Sequence, residues 1–217
     1  MKRKLTRTLA LAIALAAPVL ALQGCFTAVA TGAAVATLSL LDRRSTGMQI
    51  EDEKIELTAS SRIRDRLGEL GNVSVTSFNR NVLLTGQVPD QAARDEVARI
   101  AFGVNNVRGV NNEAEVAGVS SLSQDSSDVL LTSKVKARFL DSQRIAANHV
   151  KVVSEIGVVY LMGLVTEREA AEAKKIAATT AGVRRVVAIF EIISEAQAKE
   201  LDVRASRDKK AESASAR

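Results

Sequence analysis

Asn81-Val82-Leu83-Leu84-Thr85-Gly86-Gln87-Val88 and Gly157-Val158-Val159-Tyr160-Leu161-Met162-Gly163-Leu164-Val165 are two versions of one pattern. Each leaves a turn, runs through apolar residues to a Gly, and carries Val two positions later. Gly86 and Gly163 lie 77 residues apart. Each run leads into a helix start, Asp90 in the first copy and Thr166-Glu167 in the second. A repeat this long describes two tandem small domains, because solenoid repeats are shorter.

Working outward, each copy reads helix, strand, strand, helix, strand. In the first, Ile55, Ala59, Ile63 and Leu67 recur every fourth residue, which predicts a helix over about 53–69. Gly71-Asn72 stops it. Strands follow at 73–78 and 82–88, joined through Asn79-Arg80-Asn81. Then come a helix from Asp90 to about Phe102 and a strand over about 106–116. The second copy predicts helix 127–141, strand 149–154, strand 157–165, helix 167–180 and strand 183–193, with its tight turn at Glu155-Ile156-Gly157. The first two strands form an antiparallel hairpin. The third follows a helix, so a crossover sets it parallel to a neighbour. The fold class is therefore α+β: twice over, a three-stranded mixed sheet with two helices packed on one face. The lone Gly in each central strand marks either a close backbone approach or a packing position for a helix. The expected boundaries are 1–24, a signal peptide; 25–52, an N-terminal linker; 53–117, the first domain; 118–126, a linker; 127–193, the second domain; and 194–217, a charged, disordered tail.

The amino terminus sets the compartment. Lys2, Arg3, Lys4 and Arg7 precede an uncharged apolar run over 9–22, too short for a comfortable transmembrane helix. It ends Leu22-Gln23-Gly24-Cys25, and Cys25 is the only Cys of the 217 residues. That ending resembles the lipobox of bacterial lipoproteins, although Gln23 replaces the usual small residue. The resemblance implies cleavage before Cys25, a diacylglycerol on its sulfur and acylation (palmitate) of its new amine. Phe26, where an Asp would resemble an inner-membrane retention signal, points to the outer membrane. The uncharged stretch 26–41 reads as a tether in preference to a membrane-proximal segment that packs near the bilayer or a partner, and is closed by Asp42-Arg43-Arg44.

Charge and chemistry exclude other classes. The whole chain carries +5, and the four positives within 1–24 leave +1 after cleavage. The basic pI of about 9.6 thus belongs largely to the signal peptide and gives no case for nucleic acid. One Cys and one His cannot build a zinc site, and no Gly-rich loop has phosphate-binding spacing. His149 starts a predicted strand with no carboxylate near it in sequence and reads as structural. Glu167 and Glu169 suit a helix N-terminus. No catalytic residue, metal or cofactor is expected.

Both copies, roughly 53–117 and 127–193, resemble the BON domain (bacterial OsmY and nodulation). The similarity is close in Val159-Tyr160-Leu161-Met162-Gly163-Leu164-Val165-Thr166-Glu167-Arg168-Glu169-Ala170. Together with Leu22-Gln23-Gly24-Cys25, Asp42-Arg43-Arg44-Ser45-Thr46-Gly47-Met48-Gln49 and Thr132-Ser133-Lys134-Val135, it resembles the dual-BON lipoproteins associated with cell division and outer-membrane stress. The resemblance implies an outer-membrane lipoprotein facing the periplasm, non-enzymatic, supporting envelope integrity. It also implies that the first helix of the second domain binds anionic phospholipid.

The residues of that helix can be read directly. Advancing about 100° per residue from Leu130, Leu131, Val135 and Phe139 cluster at about 100–180° as the core stripe. Leu130, Ser133, Ala137 and Leu140 form a second stripe, flanked by Lys134 and Lys136, with Arg138 bordering the core. Apolar residues bracketed by lysines suit a bilayer interface. Such a stripe also fits a solvated face or contact with the other domain. The first domain's opening helix presents Ser60, Ser61 and Arg64 opposite its core instead. A member of this family carries an aromatic at the position that aligns with Leu130; leucine keeps the apolar contact without the ring. The expected partner is an anionic phospholipid membrane. The rival reading is a protein-interaction scaffold or chaperone-like factor for envelope assembly.

Overall fold

The computed structural model describes residues 42–68, 71–117 and 122–215. Element order is α1 (Thr46–Leu67), β1 (Asn72–Phe78), β2 (Asn81–Val88), α2 (Gln91–Phe102), β3 (Gly109–Asn112), β4 (Glu115–Val116), α3 (Leu122–Leu140), β5 (Val150–Glu155), β6 (Val158–Val165), α4 (Glu167–Ala178), β7 (Arg185–Ile192) and α5 (Glu195–Ser215). The α+β class and its duplication are as the sequence predicts. β1 pairs antiparallel with β2, and β3 and β4 pair parallel to β2. β5 pairs antiparallel with β6, and β6 parallel with β7. Each central strand thus holds one antiparallel and one parallel neighbour.

The two hairpins turn in two residues, Asn79-Arg80 and Ile156-Gly157, all four at positive φ. This is the backbone a tight antiparallel hairpin favours, although neither Arg80 nor Ile156 adopts it readily. A buried acid on each domain's first helix stabilises it. Asp52 accepts hydrogen bonds from the Asn79 and Arg80 amides at 2.8 and 2.7 Å. Asp128 accepts them from the Ile156 and Gly157 amides at 2.6 and 3.0 Å. Asp52 and Asp128 lie 76 residues apart, the same offset that relates Ile55, Ala59 and Ile63 to Leu131, Val135 and Phe139. Both helices therefore dock in the same register.

Alternation along the central strands divides the core into three layers. Val82, Leu84 and Val88 of β2 pack with Ile55, Ala59, Ile63, Val97 and Ala101 from the first domain's helices. Val159, Leu161 and Val165 of β6 pack with Leu131, Val135, Phe139, Ala173 and Ile176. The third layer joins the opposite faces of both sheets: Phe78 and Leu83 from the first, Val158, Tyr160, Met162 and Leu164 from the second. The sheets therefore stand back to back, with helices outside. Polar links cross the same boundary: Lys151 Nζ to Glu56 Oε1 at 2.7 Å, and Asn79 Nδ2 to Glu191 Oε2 at 2.8 Å.

Four expectations change. The first helix begins at Thr46, seven residues ahead of the predicted 53, capped by the Ser45 side chain. α3 likewise begins at Leu122, five residues before 127. The third strand of the first domain is broken at Glu113-Ala114. There Arg94 of α2 donates to the carbonyls of Asn112 and Ala114 at 2.9 and 2.8 Å, and the Ala114 amide turns to the Asn112 side chain. Finally, 195–215 is helical where a disordered tail was expected. Ser194 and Gln197 bond reciprocally at its start, a capping box. Ala198 is buried, Leu201 packs on the inter-sheet layer, and Asp202 pairs with Arg43.

The glycines make the closest approach. A Cβ on Gly86, whose φ is +101°, would meet the Asn72 carbonyl oxygen at 2.0 Å. On Gly163 it would meet the His149 carbonyl oxygen at 2.3 Å. Neither neighbour is a movable side-chain tip. Gly86→Ala and Gly163→Ala are each expected to cost roughly 4 kcal/mol or more in urea denaturation. Gly47→Ala, with nothing within 4 Å, is expected to change stability by less than about 1 kcal/mol.

Candidate membrane-facing site

α3 presents two stripes, as its sequence predicts. Leu131, Val135 and Phe139 are buried against β5, β6 and α4. Leu130, Ser133, Lys134, Lys136, Ala137 and Leu140 are all exposed. Leu130 and Leu140 are 62% and 63% exposed, so the other domain does not cover them. Val129, at 67%, joins them. It was missing from the expected set although its angle, about 260°, places it between Lys136 and Leu140. Neither Lys134 nor Lys136 forms an ion pair among the described residues. Arg138 is otherwise engaged, donating to the Ile176 carbonyl and to the Thr179 and Thr180 hydroxyls at 2.8–3.0 Å.

Beside this stripe, Val129, Thr132, Ser133 and Lys136 border a groove of about 540 Å³ against β5 and Ser74 of β1. The helix that bears the stripe is bonded to the sheet beneath it. Thr132 Oγ1 bonds Ser154 Oγ at 2.9 Å, and Asp128 holds the β5–β6 turn.

The contrast with the first domain needs correction. α1 starts early enough to include Ile50, and it exposes Ile50 and Leu57 at 61% and 66%. It is therefore not free of outward apolar groups. What separates the two helices is charge. At the positions equivalent to Leu130, Ala137 and Leu140, α1 carries Lys54, Ser61 and Arg64. Where α3 has Ser127, Val129 and Thr132, α1 carries Glu51, Glu53 and Glu56, while the buried acid that holds the hairpin turn, Asp52 or Asp128, is common to both. An anionic surface would therefore favour α3 and repel part of α1. Among the described residues no helix is long and apolar enough to cross a membrane. Cys25, the signal peptide and the 26–41 tether lie outside the described residues.

A second cluster was not foreseen. Arg43, read as the end of the tether, is buried in the second domain. All its donors are used: Nη1 on the Leu164 carbonyl at 2.8 Å, Nη1 and Nη2 on Glu169 at 2.7 and 3.0 Å, and Nε and Nη2 on Asp202 of α5 at 2.8 and 3.2 Å. His149, expected to have no carboxylate near it, has Nδ1 at 3.3 Å from Glu169 and Nε2 at 3.5 Å from Asp202. Glu169 also completes a capping box with Thr166. The partners stand 126 and 159 residues from Arg43, so no local pattern could announce them. Arg44 turns the other way, to Asp42 and Asp52, with its guanidinium 4.0 Å from the Phe78 ring centroid. Consecutive arginines thus pin the chain entry to both domains.

The fold and its duplicated register define two BON domains, and the BON domain family model matches residues 55–118 and 127–193. The chain belongs to that family. It is 40% identical over 185 residues to outer membrane lipoprotein DolP of Haemophilus influenzae, covering 84% of this chain and 95% of that relative. It is thus a dual-BON protein of the DolP type, and the relationship supports an outer-membrane lipoprotein. The 21 kDa hemolysin of Actinobacillus pleuropneumoniae is 29% identical over 155 residues, 70% of this chain and 80% of the relative. A solved structure, the C-terminal domain of CdsD, a structural protein of the type III secretion system of Chlamydia trachomatis, is 11% identical. It covers 70% of this chain and 100% of its own, at a TM-score of 0.27.

The Arg43 cluster has a pH signature. Burial alone would raise the Glu169 carboxyl, but bonds from His149, Arg43 and the Thr166 amide outweigh it and hold the group well below the carboxylate range. A carboxyl depressed on folding adds stability that is present above its unfolded value near pH 4 and is lost as pH falls through the folded value. Arg43→Ala leaves Glu169 buried without its bidentate partner and is expected to cost roughly 3 kcal/mol at pH 7. Chemical denaturation across pH should show that deficit shrinking progressively below about pH 4. A pH-independent deficit would contradict the assignment.

Proposed function

We propose that this chain is a periplasm-facing outer-membrane lipoprotein, acylated at Cys25, that binds anionic phospholipid through α3 and thereby supports envelope integrity. One observation carries the reading: α3 joins exposed Val129, Leu130 and Leu140 to Lys134 and Lys136, neither of which forms an ion pair among the described residues. Carbon enters the acyl boundary while each ammonium meets a phosphate. A basic side chain near an anionic leaflet contributes about 1 kcal/mol. Two lysines and a few partly inserted apolar side chains therefore give only a few kcal/mol.

That weakness suits a tethered protein. Acyl chains on Cys25 would provide the durable attachment, at about 0.8 kcal/mol per buried methylene. The 18 residues of 25–42 span at most about 60 Å when extended. Within that radius the effective concentration of membrane is high, so a weak face suffices.

Vesicle flotation of residues 42–217, which lack both the signal peptide and Cys25, reads α3 directly. Binding to vesicles containing phosphatidylglycerol, but not to pure phosphatidylcholine, is expected, and it should weaken with salt. Leu130→Glu combined with Lys134→Glu should lower partitioning at least tenfold, while Leu57→Glu on α1 should leave it unchanged. Equal losses from both variants, or no selectivity for phosphatidylglycerol, would reject the lipid face in favour of the scaffold reading.

A further inference from the structure

The two sheets end differently at their parallel edges. In the first domain that edge is short, broken at Glu113-Ala114, and carries Gly109, Asn111 and Asn112. These are devices that blunt a strand edge. In the second domain the same edge is β7, eight unbroken residues reading Arg185-Val-Val-Ala-Ile-Phe-Glu-Ile192. Among the described residues no further strand pairs with it. The Ile193 amide donates to the Val165 carbonyl at 3.0 Å just past its end. By the alternation of a parallel ladder, residues 185, 187, 189 and 191 turn their backbone groups to β6. Val186, Ala188, Phe190 and Ile192 then turn theirs outward. An edge this long and apolar is open to strand addition.

The sequence of β7 says which strand fits it. Laid antiparallel to a copy of itself about a two-fold axis at Ala188, it pairs Ala188 with Ala188, Val187 with Ile189, Val186 with Phe190, and Arg185 with Glu191 at both ends. The outward-facing residues fall opposite one another, as hydrogen-bonded pairs require. Shifting the axis to residue 187 or 189 keeps that condition but places Arg185 opposite Ile189 or Ile193. Only the register centred on Ala188 joins opposite charges at both ends, and opposed charges and apolar pairs are what stabilise facing strands. Arg185 and Glu191 keep their side chains 54% and 37% exposed while touching Glu113 at 3.6 Å and Arg108 at 3.4 Å. Ala188, at the axis, is exposed.

We propose that β7 is a self-association edge: two copies of this chain join antiparallel through β7, making one six-stranded sheet across a two-fold axis. The contact is isologous, so it closes at a dimer rather than growing. It leaves α3 untouched, and a dimer would present two such helices to one surface.

Cross-linking in isolated cell envelopes tests this. Facing α-carbons in a hydrogen-bonded antiparallel pair lie about 5.5 Å apart, within disulfide reach. The full chain carrying Ala188→Cys, oxidised with copper phenanthroline, should give a dimer at least tenfold above Ser61→Cys on exposed α1 and above the parent chain, which has only Cys25. Adding Arg185→Glu should cut that dimer at least fivefold, and adding Glu191→Arg as well should restore it. Restoration separates a lost contact from a lost fold. No excess at residue 188, an adduct of another mass, or a failure of the charge swap to restore cross-linking would overturn the proposal.

Discussion

Both central strands are buried on both faces, and most of the molecule follows from that constraint. β2 and β6 each spend one face on helices and the other on the opposite sheet. Each copy is near the size where a single core is marginal, so joining the second faces gives both domains a shared third layer. The layer is uneven. The second sheet brings Val158, Tyr160, Met162 and Leu164, while β2 brings Leu83 with buried Thr85 and Gln87. Burial raises the Tyr160 phenol to about 12. Once both sheet faces are consumed, the surfaces left for partners are the outer sides of the helices and the strand edges. α3 and β7 belong to those two sets.

Arg43 links this architecture to the amino terminus. Its guanidinium ties the chain entry to β6, α4 and α5 through a carbonyl and two carboxylates. Arg44, next to it, bonds Asp52, the acid that also holds the first hairpin turn. A pull arriving along the tether would therefore be delivered to both domains together, and not to the first alone. α5 takes part through Asp202, which gives this terminal helix a structural role that its charged composition conceals.

The sequence made the repeat legible because its signals are local and periodic. The four-residue spacing of Ile55, Ala59 and Ile63, and of Leu131, Val135 and Phe139, identified the docking sides of α1 and α3. A lone Gly between apolar residues identified each close approach. The two stripes of α3 were legible for the same reason. What stayed hidden depends on distant partners: Arg94 breaking a strand 20 residues away, or Arg43 meeting Glu169 and Asp202. Other misses were legible in principle. Ser194-Glu195-Ala196-Gln197 is a capping box, and a tail rich in Ala, Glu, Lys and Arg favours helix as much as disorder. The early start of α1 was signalled only by Ser45, and missing it hid Ile50 from the comparison of helices.

The central claim is that the outer stripe of α3 enters a bilayer interface, and the depth of a label on that stripe tests it most directly. A nitroxide at Ala137→Cys, in residues 42–217 bound to phosphatidylglycerol vesicles, can be compared with one at Ser61→Cys. Power saturation with oxygen and with a water-soluble nickel chelate reports which solvent each label meets. The account predicts that the label at 137 gains oxygen access and loses nickel access on adding vesicles, while the label at 61 remains in water. A label at 137 that stays as open to nickel as the one at 61 would contradict it.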